Sequence, residues 1–469
     1  MKATRSGALT AQTVVGDLWR DAGLDAAALQ RLDLEGVEPA LPSSFAVGTA
    51  AQSAIAAAAL AASEIGALRG GVARRVAVEI RAAAMECSSF FSIDGRTPPK
   101  WDKISGLYRC RGGWARIHAN FAHHRDGALR LLGLPPGAGT PRAAVEGAMA
   151  ERDAFEFEAA AAAAGLVVAA VRTFGEWDAH PQGRAVVSLP LLTWEKIGDA
   201  PPRALPPLDG AALPLAGIRV LDLTRILAGP VGGRSLAAYG ADVMLVNSPH
   251  LPNIDSIIET SRGKLSVHID LATAQGRDTL RALLADAHVF HQGYRPGGIA
   301  AHGFSPAEAA ASRPGLVYVS LSAYGHAGPW CGRRGFDSLV QSATGFNDAE
   351  MRAAGSAQPK PMPVQILDYA SGFLMAFAAQ AGLLRQAREG GSWHVRVALA
   401  RTAQWVRSLG RVENGFAVPM PAPDAWLETG DSGWGRLVAL RHGARLSGLP
   451  QGWARPSVRP GTNAPAWPA

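Results

Sequence analysis

The sequence predicts an α/β protein: a Rossmann-like, mostly parallel sheet with helices on both faces, joined to a smaller α+β domain. Three observations predict it. After residue 214, short apolar runs alternate with helix-length segments. A proline-rich stretch, 198–214, separates that alternation from a first half with a different rhythm. One helix-and-strand unit is written twice, once in each half.

The elements of the second half follow in order. Residues 218–223 (IRVLDL) read as an apolar strand and 231–239 as a helix. Strands are expected at 242–246, 265–271, 288–291 and 316–321, with helices at 273–285 and 306–312. Ligands of such sheets sit at the carboxyl ends of the strands. The loops 224–230, 292–297 and 322–329 therefore form the expected ligand side. The first half offers a hairpin-like stretch at 111–120, helices within 140–164 and a short strand at 167–171. These features divide the chain into a small-domain-like half (1–197), a linker (198–214), a nucleotide-fold half (215–400) and a C-terminal segment (401–469). Its tail from Ser447 is expected to run extended over the surface.

The first repeat copy begins at 46–48 and continues through a small-residue helix pattern, 52–68. Gly70 and Gly71 and a strand at 75–80 complete it. The second begins at 367–372 and runs through a helix pattern, 373–388, then Gly390, Gly391 and a strand at 395–399. This reading sets Val47 opposite Asp368, so only one copy carries a carboxylate.

Composition narrows the function classes. With 469 residues, 48% hydrophobic and 18% charged, the chain is expected to be globular rather than disordered. Its three cysteines, Cys87, Cys110 and Cys331, form no CxxC pair, which argues against a zinc site or a disulfide framework and for a cytoplasmic protein. The net charge of +7 favours anionic partners, yet the arginines are dispersed, so nucleic acid is not expected. No secretory leader is expected within 1–16, and the apolar runs 54–62 and 159–171 are too short to span a membrane. No GxGxxG fingerprint calls for a nicotinamide or flavin.

Several segments then carry a resemblance. They are 215–230 (LAGIRVLDLTRILAGP), 236–243 (LAAYGADV), 261–271 (SRGKLSVHIDL), 294–297 (YRPG), 321–329 (LSAYGHAGP) and 335–337 (GFD). In order and spacing they resemble class III coenzyme A transferases, the CaiB/BaiF family. Residues 112–118 (GGWARIH) and 174–184 (FGEWDAHPQGR) are similar to the start and close of that family's small domain. The chain reads as a rearranged or fused member, with the family's joining helix and strand present twice.

The resemblance implies a CaiB/BaiF-type fold and transfer of CoA from an acyl-CoA thioester to a carboxylic acid. Asp368 takes the place of the nucleophile that forms an aspartyl-CoA thioester. A carboxylate suits such work because its acyl derivatives remain activated. It is expected to be ionised, with hydrogen-bond donors holding its pKa low. Taken alone, an aspartate here also fits a helix N-cap. Arg262, Lys264 and Arg295 are candidates for the CoA phosphates. Leu227, Ala228, Gly229 and Pro230 form a turn that a ligand could approach closely. Tyr294, Tyr324, Gly325 and Phe336 complete the expected substrate site. Phe336 stands where racemase members carry a histidine, which disfavours racemisation, because phenylalanine exchanges no proton. An acyl-CoA racemase or isomerase and a silent CoA-binding homologue remain the alternatives. CoA is expected as co-substrate, with no cofactor, no metal and no membrane. The resemblance also suggests a homodimer, possibly interlocked.

Overall fold

The computed structural model describes residues 8–209 and 212–468. The first seven positions, where part of the expected N-terminus falls, and two linker positions lie outside the described residues.

Seven strands form the main sheet: β1 (Thr193–Gly198), β2 (Arg219–Leu223), β3 (Asp242–Asn247), β4 (Leu265–His268), β5 (Val289–Gln292), β6 (Val317–Ser322) and β7 (Ser392–Ala398). Their order is β4-β3-β2-β5-β6-β7-β1. All neighbours are parallel except β7 and β1. Val220, Leu221, Val243, Met244, Val289, Phe290, Val317 and Val319 are buried, as strands covered on both faces require. Strand order reverses between β2 and β5, which opens a crevice beyond their carboxyl ends. At the outer strand β4, the amide and carbonyl of Ser266 bond to Asn463, each at 2.8 Å.

Four helices matter for the site: α1 (Val47–Leu68), α2 (Ala228–Ala238), α3 (Asp337–Ala343) and α4 (Ile366–Glu389). Helix α2 starts three residues before the expected 231, because Pro230 falls in the first turn, where its missing N–H is not needed. Strand β4 stops at His268, short of the expected 271. There the Asp270 carboxylate accepts the Ala272 amide at 3.0 Å and turns the chain into the next helix.

The repeat helices α1 and α4 pack against each other. Both are long and apolar enough to cross a membrane, and both are buried within the protein. Alanines at 56–59 and 61–62 let the backbones come close. Each copy is longer than its sequence pattern, and the register of the repeat differs from the expected one. The N-cap of α1 is Ala46 (φ −75, ψ 61) and that of α4 is Gln365 (φ −79, ψ 62). The following strands give way to helices at Ile80 and Leu399. Both landmarks lie 319 residues apart, which sets Thr49, not Val47, opposite Asp368.

Division of the chain at the linker is not a division in space. Strand β1, from the first half, closes one end of the main sheet. Arg69 holds the linker by donating to the carbonyls of Pro206, Pro214 and Ala216 at 2.6–2.7 Å. The C-terminal segment returns to the first half: Leu427–Ser432 and Gly435–Leu440 form a sheet with Phe91–Ile93, and Ala444–Leu446 pairs with Val76–Glu79. The expected small α+β region does have its own core. A hairpin (Gly106–Cys110 and Gly113–Ile117) and Val168–Ala170 enclose Tyr108, Ile117, Leu129, Met149 and Phe157.

A buried ionic network joins the three parts. Arg234 pairs with Glu86 at 2.8 Å and with Glu259. Arg262 pairs with Glu259 at 2.6 Å and Glu428 at 2.9 Å. His442 lies 3.2 Å from Glu86 and 2.8 Å from the Tyr239 hydroxyl. Burial alone would raise the pKa of Glu86, but His442 and Arg234 more than offset it and bring it to about 2.

Candidate active site

Asp368 is the third residue of α4, so it is not an N-cap. The first turn of α4 is instead held by Asp337, the first residue of α3. Its Oδ2 accepts the amide of Asp368 at 2.9 Å, its carboxylate also accepts the amide of Leu367, and Gln341 donates to Oδ1 at 2.5 Å. A carboxylate at a helix N-terminus is favoured by the free amides there. Two carboxylates thus meet at one helix start. Burial, opposed by these hydrogen bonds, pushes Asp337 up to about 6. Burial first, and the Asp337 charge second, raise Asp368 well above the usual carboxylate range. No hydrogen bond reaches its side chain among the described residues, so the expectation of a depressed pKa is overturned. Asp337 holds the donors that favour its anion, whereas the Asp368 carboxylate has none among the described residues.

A cavity of about 380 Å³, lined by Phe336, the residue before Asp337, opens at the switch point of the sheet. Its walls come from both halves. Arg225 and Ile226 follow β2, Tyr294 and Arg295 follow β5, and Ser322 and Ala323 end and follow β6. Arg333, Arg334 and Phe336 precede α3, and Phe121, His123 and His124 come from the first half. Four arginines on one cavity make it a place for phosphate or carboxylate groups. Burial, His123 and Arg334 keep His124 neutral, with its pKa brought to about 3. Ile226 has φ 77, a strained value for a β-branched residue, at the mouth of the switch point. Phe336 stacks on His118 with ring centres 4.0 Å apart.

Of the residues expected in the site, Tyr294, Arg295 and Phe336 line this cavity; Asp368 does not, and is linked to it through Asp337, which follows Phe336 in the chain and accepts the Asp368 amide. Others are placed elsewhere. Arg262 is buried against Trp453 at 4.0 Å, and its charge is already met by Glu259 and Glu428. Lys264 is buried with its Nζ 2.8 Å from both Asp222 Oδ2 and the Pro230 carbonyl. Neither has a face left for a phosphate. Leu227, Ala228, Gly229 and Pro230 are buried in the start of α2, with Gly229 packed on Thr224. Tyr324 and Gly325 face the first half: Gln182 donates to the Tyr324 carbonyl at 2.7 Å, and Gly325 lies against Leu189.

Arg225, Arg333, Arg334, His123, His124 and Asp337 escaped the sequence reading. Arg225 carried a usable signal, since it directly follows a strand that ends at the ligand side. Arg333 and Arg334 stand immediately before Gly335 and Phe336, in a motif already singled out.

Comparison with known proteins gives the following. Residues 215–422 match the model of CoA-transferase family III. A probable fatty acyl-CoA transferase of Mycobacterium tuberculosis is 33% identical over 239 residues, covering 47% of this chain and 60% of that protein. Succinate–glutarate CoA-transferase of Agrobacterium fabrum is 33% identical over 207 residues, covering 40% and 51%. The crystal structure of a CaiB/BaiF family protein from Brucella suis aligns with TM-score 0.38 at 28% identity, covering 48% and 65%. The chain thus spans only about half to 60% of the length of these two curated relatives.

Proposed function

We propose that this chain, of which residues 215–422 match the model of CoA-transferase family III, transfers CoA from an acyl-CoA thioester to a carboxylate through Asp368. The observation that carries the reading is the Asp337–Asp368 pair at one helix start, preceded by Phe336, which lines an arginine-bearing cavity at the switch point.

The chemistry divides one exchange into four acyl transfers. An Asp368 oxygen attacks the thioester carbonyl, the C–S bond breaks, and CoA thiolate leaves a mixed anhydride. The thiolate then attacks the Asp368 carbonyl carbon and releases the donor acid, which leaves an aspartyl-CoA thioester. The acceptor carboxylate attacks that carbon and expels thiolate. Finally the thiolate attacks the acceptor's acyl carbon and frees Asp368.

Each attack by Asp368 needs its anion, so the proton must first leave the pair. The raised pKa makes that anion basic and strongly nucleophilic once formed. Arg225, Arg295, Arg333 and Arg334 hold the anionic CoA, and Phe336 and Phe121 give the acyl end an apolar wall. Homologues that carry the names CoA-transferase and acyl-CoA transferase support the reaction class. A cytoplasmic homodimer that works without a further cofactor belongs to the same proposal.

Incubation with a panel of acyl-CoA donors, followed by hydroxylamine or borohydride, tests it. An adduct mapped to Asp368 by peptide mass spectrometry is the expected result. No adduct with any donor, while CoA still binds, would sink the transferase reading.

A further inference from the structure

Two buried charges at the switch point take no part in the chemistry proposed above. Asp222 lies on β2 and Lys264 directly precedes β4; their side chains are 0% exposed and 2.8 Å apart. Burial raises the pKa of Asp222, but Lys264 and His291, the latter 3.8 Å away, more than offset it and bring it to about 2. The carboxylate therefore stays charged. A buried ion pair is weak evidence for stability, because apolar residues of similar volume often hold a fold as well. Its presence here asks for another reason.

The pair grips both ends of one loop. Residues 224–230 lead from β2 into α2 and carry Arg225 and Ile226 to the cavity wall. At the near end, the Thr224 hydroxyl donates to Asp222 Oδ1 at 2.5 Å. At the far end, Lys264 Nζ donates to the Pro230 carbonyl at 2.8 Å as well as to Asp222 Oδ2. Helix α2 makes room for this at Gly233, where a Cβ would collide with Asp222 and stand 2.9 Å from Lys264 Nζ. Between the two grips Ile226 is held at φ 77, and the Ser256 hydroxyl donates to its carbonyl at 2.8 Å. A β-branched residue keeps such a φ only where its surroundings over-determine it. The start of α2 also touches the helix of Asp368: Gly372, four residues after the aspartate, packs on the Ala228 carbonyl.

We propose that Lys264 and Asp222 are positioning residues that together hold the 224–230 loop in its strained form, so that Arg225 and Ile226 face the bound CoA thioester. Both are buried, so neither touches the ligand. Without the two grips the strain relaxes by rotation at Ile226, which carries the adjacent Arg225 off the cavity wall. The affinity that CoA gains from Arg225 thus depends on two side chains it never meets, through preorganisation of the loop.

The proposal rests on the transferase reading, and two readouts keep them apart. The Asp368 adduct trapped from acetyl-CoA reports the transferase reading. The Kd of CoA, measured by calorimetry without turnover, reports the grip. Thr224→Val and Ser256→Ala each remove one hydroxyl from the loop's supports, and each is expected to raise the Kd about 3- to 10-fold. Asp222→Asn combined with Lys264→Met removes both charges together, so no unpaired charge is left to unfold the protein, and should raise the Kd about 10- to 100-fold. The control is Ser44→Ala, which removes a buried hydroxyl bonded to Glu350 at 2.7 Å, neither residue lying on the loop or the cavity wall. Its Kd should stay within about twofold of wild type, whatever stability it loses in urea unfolding. A Kd that rises as much in Ser44→Ala as in Thr224→Val overturns the proposal. So does a Kd unchanged in both loop variants, even where the adduct forms and the transferase reading stands. If no adduct forms, yet the loop variants still weaken CoA, the transferase reading falls and the grip stands. A wild type that binds no CoA overturns both.

Discussion

Helices α1 and α4 are two versions of one structural idea, and they differ at a single decisive position. Each starts from an N-cap of nearly the same backbone shape. Each has a carboxylate from another segment laid over its first amides. Glu38 accepts the amide of Thr49 at 2.6 Å and also that of Gly48, as Asp337 accepts those of Asp368 and Leu367. The capping anion is therefore architecture, common to both. In α1 the third residue is Thr49, whose hydroxyl is a neutral partner for Glu38. In α4 it is Asp368, a second carboxylate at a terminus that one already occupies. Glu86 makes the same point from the opposite side: it is buried like Asp368, but Arg234 and His442 hold it charged and inert. Burial alone does not make a carboxylate reactive. The sign of its neighbours decides.

The widest gap between the copies should appear in catalysis. Asp368→Ala is expected to reduce CoA transfer by at least about 1,000-fold, and adding Thr49→Asp should restore none of it, because the arginine-lined cavity is bounded by Phe336, next to the Asp337 that holds the start of α4 rather than of α1. A double variant that regains turnover in a coupled assay would erase the distinction between the copies. The next effect concerns the silenced carboxylate. Glu86→Gln leaves Arg234 short of a buried partner and should cost about 3–5 kcal/mol in urea unfolding. Because the pKa of Glu86 is lowered, its stabilisation is complete above the unfolded value near 4.5 and is lost as pH falls towards about 2. The variant should therefore be less acid-sensitive than wild type.

The two caps come third. Glu38→Gln and Asp337→Asn should each cost about 1–2 kcal/mol. Only Asp337→Asn should move the pH–rate profile. Removing its charge lowers the proton affinity of Asp368, so the rising limb shifts to lower pH; an unmoved limb would mean that the two carboxylates do not interact. The smallest effect on catalysis is at Val47, two residues before the true counterpart Thr49. Val47→Ala should cost about 1–2 kcal/mol through lost packing and leave kcat unchanged.

The second half of the fold was readable because its strands are buried on both faces and are therefore written as continuous apolar runs, such as 218–223 and 316–321. Strand β1 was not, since it is half-exposed and its partner β7 lies nearly 200 residues on. The repeat was visible, but its register was not. The Val47–Asp368 pairing implies a spacing of 321 residues and the paired glycines at 70–71 and 390–391 one of 320, whereas the helix starts and the strand ends define 319. Arg262 and Lys264 looked free to meet the CoA phosphates because two of the carboxylates that neutralise them are distant in sequence, Asp222 by 42 residues and Glu428 by 166. Charge on a sequence says what must be neutralised, not by whom. Asp337 was passed over for a similar reason: it caps a helix that begins nearly 30 residues later.

The ends of the seven-stranded sheet have a consequence for the company this protein keeps. A bare outer strand is a template on which any extended chain can hydrogen-bond. On one side the sheet finishes in β1, short, antiparallel, and with exposed Glu195 and Lys196, which another strand could not approach without stripping water from both charges. On the other side Asn463 occupies the outward amide and carbonyl of Ser266, the groups an incoming strand would need. The segment after Ser447 thus acts as a guard against growth of the sheet, and a loosened tail would reveal itself first as stickiness between molecules.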